Sequence, residues 1–418
     1  GEAKKSSDDR QMDDFITSLM KKMTLEEKIG QLNLGGVGSP KVVGSAIGLD
    51  EAIRKGLVSS VGGFDAKAAE DAQKFAVENS RMKIPLITGL DVVHGYYTIF
   101  PIPLASACSW NMPLLEESAR VAADEASAFG INWTFAPMVD ICRDPRWGRI
   151  AEGAGEDPCL GSRIGRAMVR GFQGDDLSKP NTLLACVKHF ALYGASEAGR
   201  DYNTVSMDPV TMYNYYLPPY KAAFDEGAGS GMTSFNVVNG VPATGNKWLL
   251  TDLLRDQWKF KGFMVSDANS LAEMSEHGMG GAQRITELAM NAGLDMDMSS
   301  SLYVLCLKKA VEEKRVPLSR IDAACRRVLE AKYKLGLFED PFRYLKNKQR
   351  QSQVLSPQNR DVARRLAAES IVLLKNSEQL LPITPPRKIA VVGPMGNVRG
   401  ELLGTWSYGY SKDKMHSA

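Results

Sequence analysis

Eight short apolar runs punctuate the chain. They begin at Ile29 (IGQLNLGG), Val58 (VSSVGGFD), Pro85 (PLITGLDVVHG), Ile131 (INWTFAPMVD), Thr182 (TLLACVKHF), Gly231 (GMTSFNVVNG), Gly262 (GFMVSD) and Ala292 (AGLDMDM). Each is continuous rather than alternating, the pattern of parallel strands covered on both faces. Stretches with helical periodicity lie between them, for example Leu114–Phe129 and Pro209–Asp225. Eight strand–helix units over about 300 residues predict an α/β fold, a (β/α)8 TIM-barrel-like domain. The rival, a doubly wound open sheet, uses fewer strands and a glycine-rich phosphate loop after the first, and no such loop is present.

After Leu335 the pattern changes. The charged, irregular stretch GLFEDPFRYLKNKQRQSQV reads as the end of the barrel and a linker. The division predicted is residues 1–342 for the barrel, 343–356 for the linker and 357–418 for the start of a second domain, an α/β sandwich. In that last part Pro357–Ser370 is helix-like, and IVLLKN and KIAVVGP look like buried strands. About 60 residues are too few to close a core, so the reading expects this chain to be a fragment cut inside the second domain.

The polar residues at the run ends change the picture from fold to chemistry. Asp91, His94, Asp140, Lys188, His189, Asn236 and Asp267 all fall at or just after the end of an apolar run. In a barrel these ends converge on the face where active sites sit. Composition narrows the partners. With 51 Lys+Arg against 49 Asp+Glu among 418 residues the net charge is +2. That balance removes the electrostatic case for nucleic acid or an anionic membrane surface. No apolar run is long enough for a membrane span. The six cysteines form no C-x-x-C pair and read as small core residues.

Asp267 closes Gly-Phe-Met-Val-Ser-Asp. A carboxylate at the tip of an apolar strand is costly unless paired or functional. It reads as a nucleophile or general base, or as the N-cap of the stretch that follows. Lys188-His189 suits a polyhydroxyl ligand or an anion; the plainer alternative is a paired lysine and a satisfied core histidine. Arg149 stands in DPRWGRIAEGAGEDP, where Arg146, Glu152, Glu156 and Asp157 are expected to pair with one another and hold the loop. Trp147 is a buried anchor or, if exposed, a stacking face for a sugar. Asp91 can accept two hydroxyl hydrogen bonds or cap a helix. Asp295 and Asp297 raise a divalent metal, but the neighbouring strand ends supply, beside His189, the cations Lys188 and Arg149, which do not coordinate one, so no metal site is expected.

The runs PRWGRIAEGAGEDP, VKHFALYGASEAGRDYNTVSM, GMTSFNVVNGVPAT and KGFMVSDANS, in this order, resemble glycoside hydrolase family 3, nearest its bacterial periplasmic β-glucosidase branch. The likeness extends from about Met12 to the chain end and includes MTLEEKIGQL, FEDPFRYL and ESIVLLKN. It implies Asp267 as the nucleophile, and Asp91, Arg149, Lys188, His189 and Arg200 as sugar ligands, with Met232 lining the pocket. It implies that the acid/base glutamate belongs to the second domain, outside this chain. Two departures stand out: Ala268 follows the nucleophile where many relatives carry Trp, and Phe235 stands where many carry Tyr.

What the resemblance implies is a retaining, exo-acting β-glucosidase in the periplasm or secreted, working by double displacement on a small-molecule or oligosaccharide substrate without a cofactor. Lys188 and Arg149, if near Asp267, are expected to lower its pKa. The alternatives are a β-xylosidase or other β-glycosidase of the family, and a barrel that binds sugar without turnover. The acetylglucosaminidase branch carries K-H-F-P-G-H-G, whereas this chain reads Lys188-His189-Phe190-Ala191-Leu192-Tyr193-Gly194.

Overall fold

A computed structural model describes residues 5–36, 48–62, 66–346, 348–398 and 400–408. Each of the eight apolar runs holds a strand: β1 (Asn33–Gly36), β2 (Ser60–Gly62), β3 (Ile87–Leu90), β4 (Trp133–Thr134), β5 (Cys186–Phe190), β6 (Ser230–Thr233), β7 (Phe263–Ser266) and β8 (Asp297–Met298). The last three residues of the second run, and residues 409–418, lie outside the described residues.

Strands β8, β1, β2, β3 and β4 form one parallel sheet in that order, and β5, β6 and β7 a second. Isolated parallel bridges join the two. Trp133 pairs with Leu184 and Met138 with Lys188 on one side, and Val265 with Met296 on the other. The succession therefore returns to β1, barrel-like, through two seams held by single bridges rather than by ladders. The first seam has a local cause. β4 is two residues long and is soon followed by Pro137, which has no N–H to donate. Trp133 braces the interior there: its indole N–H donates to Ser230 Oγ on β6 at 2.9 Å.

Helices follow from local signals. Helix α1 (Met112–Ser127) starts at Asn111, whose side chain accepts from Leu114 N–H. Helix α2 (Pro158–Gln173) has Pro158 in its first turn and is capped by Asp157, which accepts from Leu160 N–H at 2.8 Å. The predicted helix over Pro209–Asp225 is broken: Pro209–Thr211, a wider turn over Met212–Tyr216, then α3 (Pro218–Asp225). Pro218 and Pro219 supply no backbone donors, so the ladder cannot run through. Gly194 lets the loop after β5 lie against the loop after β4, since a Cβ there would fall 2.2 Å from the Ile141 carbonyl oxygen.

Past the barrel, the predicted linker is ordered on its surface. Residues Lys348–Gln353 form a short 3-10 turn, and Arg350 reaches the Asp124 carboxylate and Ser127 Oγ, each at 2.9 Å. Helix α4 (Pro357–Glu369) packs Val362 and Leu366 against Phe100, Leu114 and Leu115. The strands expected at IVLLKN and KIAVVGP are not formed, and both segments are exposed rather than buried: Leu374 is 91% and Val392 85% accessible. A strand needs a neighbour for its N–H and C=O groups and an apolar face to cover it. The described residues offer neither there. The chain then returns to the barrel, where Trp406 and Tyr408 pack against the apolar cluster that includes Leu90 and Val92.

Candidate active site

Four strand ends and their loops bring the predicted residues together. Asp91 follows β3, Asp267 follows β7, and Lys188 and His189 lie within β5 itself. Lys188 Nζ donates to Asp91 Oδ1 at 2.8 Å; its side chain is 2% exposed and that of Asp91 18%. Arg149 comes from the short helical turn Gly148–Glu152 in the loop after β4. Its guanidinium donates twice to Glu152, at 2.5 and 2.9 Å, lies 5.4 Å over the Tyr193 ring, and contacts His189 Nε2 at 3.0 Å.

His189 is 1% exposed. Its Nδ1 is 2.7 Å from Asp140 Oδ2, and the same oxygen accepts the His189 backbone N–H at 2.9 Å. Tyr220 donates to the other oxygen of Asp140. Burial holds His189 well below the usual imidazole pKa, and the charges of Arg149 and Lys188 push the same way. Burial lifts Asp140 to about 7 against its hydrogen bonds from Tyr220 and the His189 N–H. For Glu152 burial is the largest single influence and acts upward, but the bonds from Arg149 and Trp406 and the charges of Lys188 and Arg149 together outweigh it, and the net shift is down.

Asp267 Oδ1 accepts the Ala268 N–H at 2.7 Å. Oδ2 lies 3.6 Å from His189 Nε2 and has no hydrogen-bond partner among the described residues. The side chain is 13% exposed. Arg149 and Lys188 pull its pKa down as expected from the sequence, yet the net direction is the reverse of that expectation. Burial dominates and lifts Asp267 to about 6. The reason is that the cations are largely engaged by Glu152 and Asp91, while the desolvation of Asp267 is not shared.

The other expected residues are placed differently. Arg200 is exposed and, among the described residues, forms no hydrogen bond or ion pair with the cluster. Met232 is 2% exposed within the apolar interior on β6. Trp147 is fully buried, its N–H on Asp201 at 3.0 Å, so it is an anchor and not a stacking face. The acids and arginines of its loop do not pair as a set: Arg146 binds Asp144, Glu152 binds Arg149, and Asp157 caps α2. Asp295 is held by Arg255 and Arg327, both at 2.8 Å, and Asp297 accepts from Ser300 and Tyr303 N–H, so both acids are committed to structure.

Sequence reasoning gave no task to Asp140, Tyr220 or Trp406, and gave Glu152 only a part in holding its loop. Asp140 carried a signal, its place at an apolar run end; Tyr220 and Trp406 carried none. Trp406 donates to Glu152 Oε1 at 2.7 Å and presents its ring to Lys188 Nζ at 5.2 Å. A narrow cleft lined by Val93, His94, Phe100, Met138, Glu152 and Met168 reaches the cluster at Glu152, and Asp267 is not among its lining residues.

The sequence profile described as "Glycosyl hydrolase family 3 N terminal domain" matches residues 24–331. The periplasmic β-glucosidase of Salmonella typhimurium is 42% identical over 404 residues, covering 94% of this chain and 52% of that protein. A putative β-xylosidase of Formosa agariphila is 32% identical over 409 residues, covering 92% of this chain and 54% of its own length. The crystal structure of a Listeria innocua β-glucosidase in complex with isofagomine superposes with a TM-score of 0.90 at 40% identity, over 96% of this chain and 57% of that one. This chain spans about half the length of the curated relatives it matches. Profile, sequence and superposition agree with the strand-end cluster: the chain belongs to glycosyl hydrolase family 3.

Proposed function

We propose that this chain carries the nucleophile and the sugar-binding face of a retaining, exo-acting β-glucosidase that releases terminal non-reducing β-D-glucose. The observation that carries the reading is Asp267 Oδ2, a shielded carboxylate oxygen with no hydrogen-bond partner among the described residues, beside Arg149 and the Lys188–Asp91 pair. A nucleophile must be bare on the attacking side and ionised at working pH. In the first step Oδ2 bonds to the anomeric carbon as the bond to the leaving oxygen breaks and that oxygen takes a proton. In the second, water attacks the same carbon and the ester to Asp267 is cleaved. The proton donor and later base is a glutamate outside these 418 residues, an assignment that rests on the family resemblance. Asp91, Lys188, Arg149 and His189 meet the ring hydroxyls, with Arg200 and Met232 as outlying members of the pocket. A site whose buried donors are matched by hydroxyls rejects a sugar lacking them.

Residues 1–342 are the barrel, and the exposed apolar segments after Glu369 belong to a second α/β domain whose remaining elements cover them. The Salmonella relative is named periplasmic, which supports a periplasmic or secreted enzyme. No helix among the described residues is long and apolar enough to cross a membrane.

Incubating the full-length protein with a 2-deoxy-2-fluoro-β-glucoside is expected to leave a glycosyl ester on Asp267, found by peptide mass mapping. An unlabelled Asp267 in a protein that still turns over the substrate would sink the assignment. The named β-xylosidase relative supports a second reading, β-xylosidase; product analysis against gluco-, xylo- and galacto-linked disaccharides separates the two. The acid limb of the pH profile follows from Asp267. With its carboxyl lifted to about 6, kcat/KM is expected to fall about tenfold per pH unit below 6. A profile flat down to pH 4 would contradict the role.

A further inference from the structure

Asp140 has no task in the scheme above, although it is 2% exposed and its carboxylate accepts from Tyr220, the His189 backbone and the His189 ring. The chemistry of its neighbours decides what it does. Arg149 can only donate hydrogen bonds, so its 3.0 Å contact makes His189 Nε2 an acceptor. A neutral imidazole carries one N–H, which must then sit on Nδ1, facing Asp140 Oδ2 at 2.7 Å. Burial and two neighbouring cations keep the ring neutral.

The grip is tight. Asp140 Oδ2 takes both the ring N–H and the backbone N–H of His189, and Tyr220 fixes the other oxygen. It also survives protonation of Asp140. A proton on Oδ1 can face the Tyr220 oxygen, because the Tyr220 hydroxyl has the His189 carbonyl at 3.0 Å as an alternative acceptor. Oδ2 then remains an acceptor.

The consequence lies 3.6 Å away, where Asp267 Oδ2 finds no N–H on Nε2, whose one lone pair takes the Arg149 N–H. A ring released from this grip, with its proton on Nε2, would need only a small turn and approach to bond Asp267. Such a bond stabilises the ionised form and lowers the carboxyl pKa, and it ties up the oxygen that must attack.

We propose that Asp140 is a positioning residue that locks His189 in its Nδ1–H tautomer and thereby keeps the attacking oxygen of Asp267 bare. This rests on the reading of Asp267 as nucleophile. The other groups facing Asp267 are Arg149 from the loop after β4, Lys188 and Cys186 of β5, Asp91 after β3 and Tyr202 from the loop after β5. All of them are retained when Asp140 alone is changed.

The test uses full-length protein with 15N-labelled imidazoles, His189 being assigned by His189→Gln. Two-bond proton–nitrogen correlations are expected to show a protonated Nδ1 and a bare Nε2 at neutral pH. A proton on Nε2 overturns the proposal. Asp140→Asn can keep its carbonyl oxygen on both His189 N–H groups and turn its amide toward Tyr220, so the tautomer is expected to persist. Asp140→Leu removes the acceptor. The ring is then free to turn off Arg149 and take its proton on Nε2, with kcat expected down about 10²-fold and the acid limb moved to lower pH. An Asp140→Leu enzyme with wild-type kcat and limb also overturns it. Should that variant not fold, the wild-type and Asp140→Asn spectra still decide. A locked tautomer in a protein that hydrolyses no β-glycoside would instead count against the nucleophile reading alone.

Discussion

Asp267→Asn is expected to lower kcat on aryl β-glucosides by about 10⁴-fold or more, the usual scale for loss of a nucleophile, while making the folded protein more stable at neutral pH. The two effects share one cause. Burial lifts the Asp267 carboxyl to about 6 from an ordinary 3.8, so its charge is held in the folded state at a cost. One pKa unit corresponds to about 1.4 kcal/mol, which makes that cost about 2 to 3 kcal/mol. The sign follows from linkage. A carboxylate whose folded pKa is raised destabilises the native state fully above the folded value and not at all below the unfolded one. The stability gain of the asparagine variant is therefore expected at pH 7 to 8, fading through pH 6 and gone near pH 4. Thermal unfolding at these pH values, set beside turnover, checks both halves. An inactive variant that is also less stable at pH 8 would mean that Asp267 supports the fold instead.

Arg149→Met is the second large effect, and it moves the pH profile the other way from Asp140→Leu. Arg149 is the principal group drawing the Asp267 pKa down, and it is paired to Glu152, whose side chain is 6% exposed. Without it Asp267 climbs further above 6, so the acid limb moves up. Glu152 keeps the Trp406 N–H but loses its counter-charge, and breaking one side of a shielded pair costs about 3 to 5 kcal/mol. His189 Nε2 loses its donor as well. The expected outcome is kcat/KM down by about 10³-fold, an acid limb above pH 6 and a lower unfolding temperature. Arg149→Lys is expected to recover little, since a single ammonium cannot reach Glu152 by two parallel bonds and His189 together. An Arg149→Met enzyme whose limb stays at pH 6 would show that Arg149 does not act on Asp267.

The sequence was legible wherever the physics is local. A continuous apolar run reports that both faces of a strand are covered, and each of the eight runs holds one. Polar residues at run ends share a barrel face because parallel strands all end there, which is why Asp91, Arg149, Lys188, His189 and Asp267 could be grouped before any coordinates. Asp157, expected to pair within its loop, caps a helix instead, as a short acceptor side chain ahead of a first-turn proline allows. The exposed IVLLKN and KIAVVGP segments mark the limit of the same reasoning, since an apolar run records a capacity for burial and not the presence of a covering surface.

The amino-acid order by itself determined the strand–helix succession, the set of chemical groups at the strand ends and the family pattern they spell. Only the tertiary structure decided how those groups act on one another. Whether Asp267 titrates above or below an ordinary carboxyl depends on the balance of desolvation against distant charges, and burial is a property of the packed whole. Which nitrogen of His189 holds the proton depends on Arg149, 40 residues away, and on Asp140, 49 residues away. Hydrogen bonds and Coulomb interactions act over a few ångströms of space, and separation along the chain carries no record of that distance until the backbone has folded.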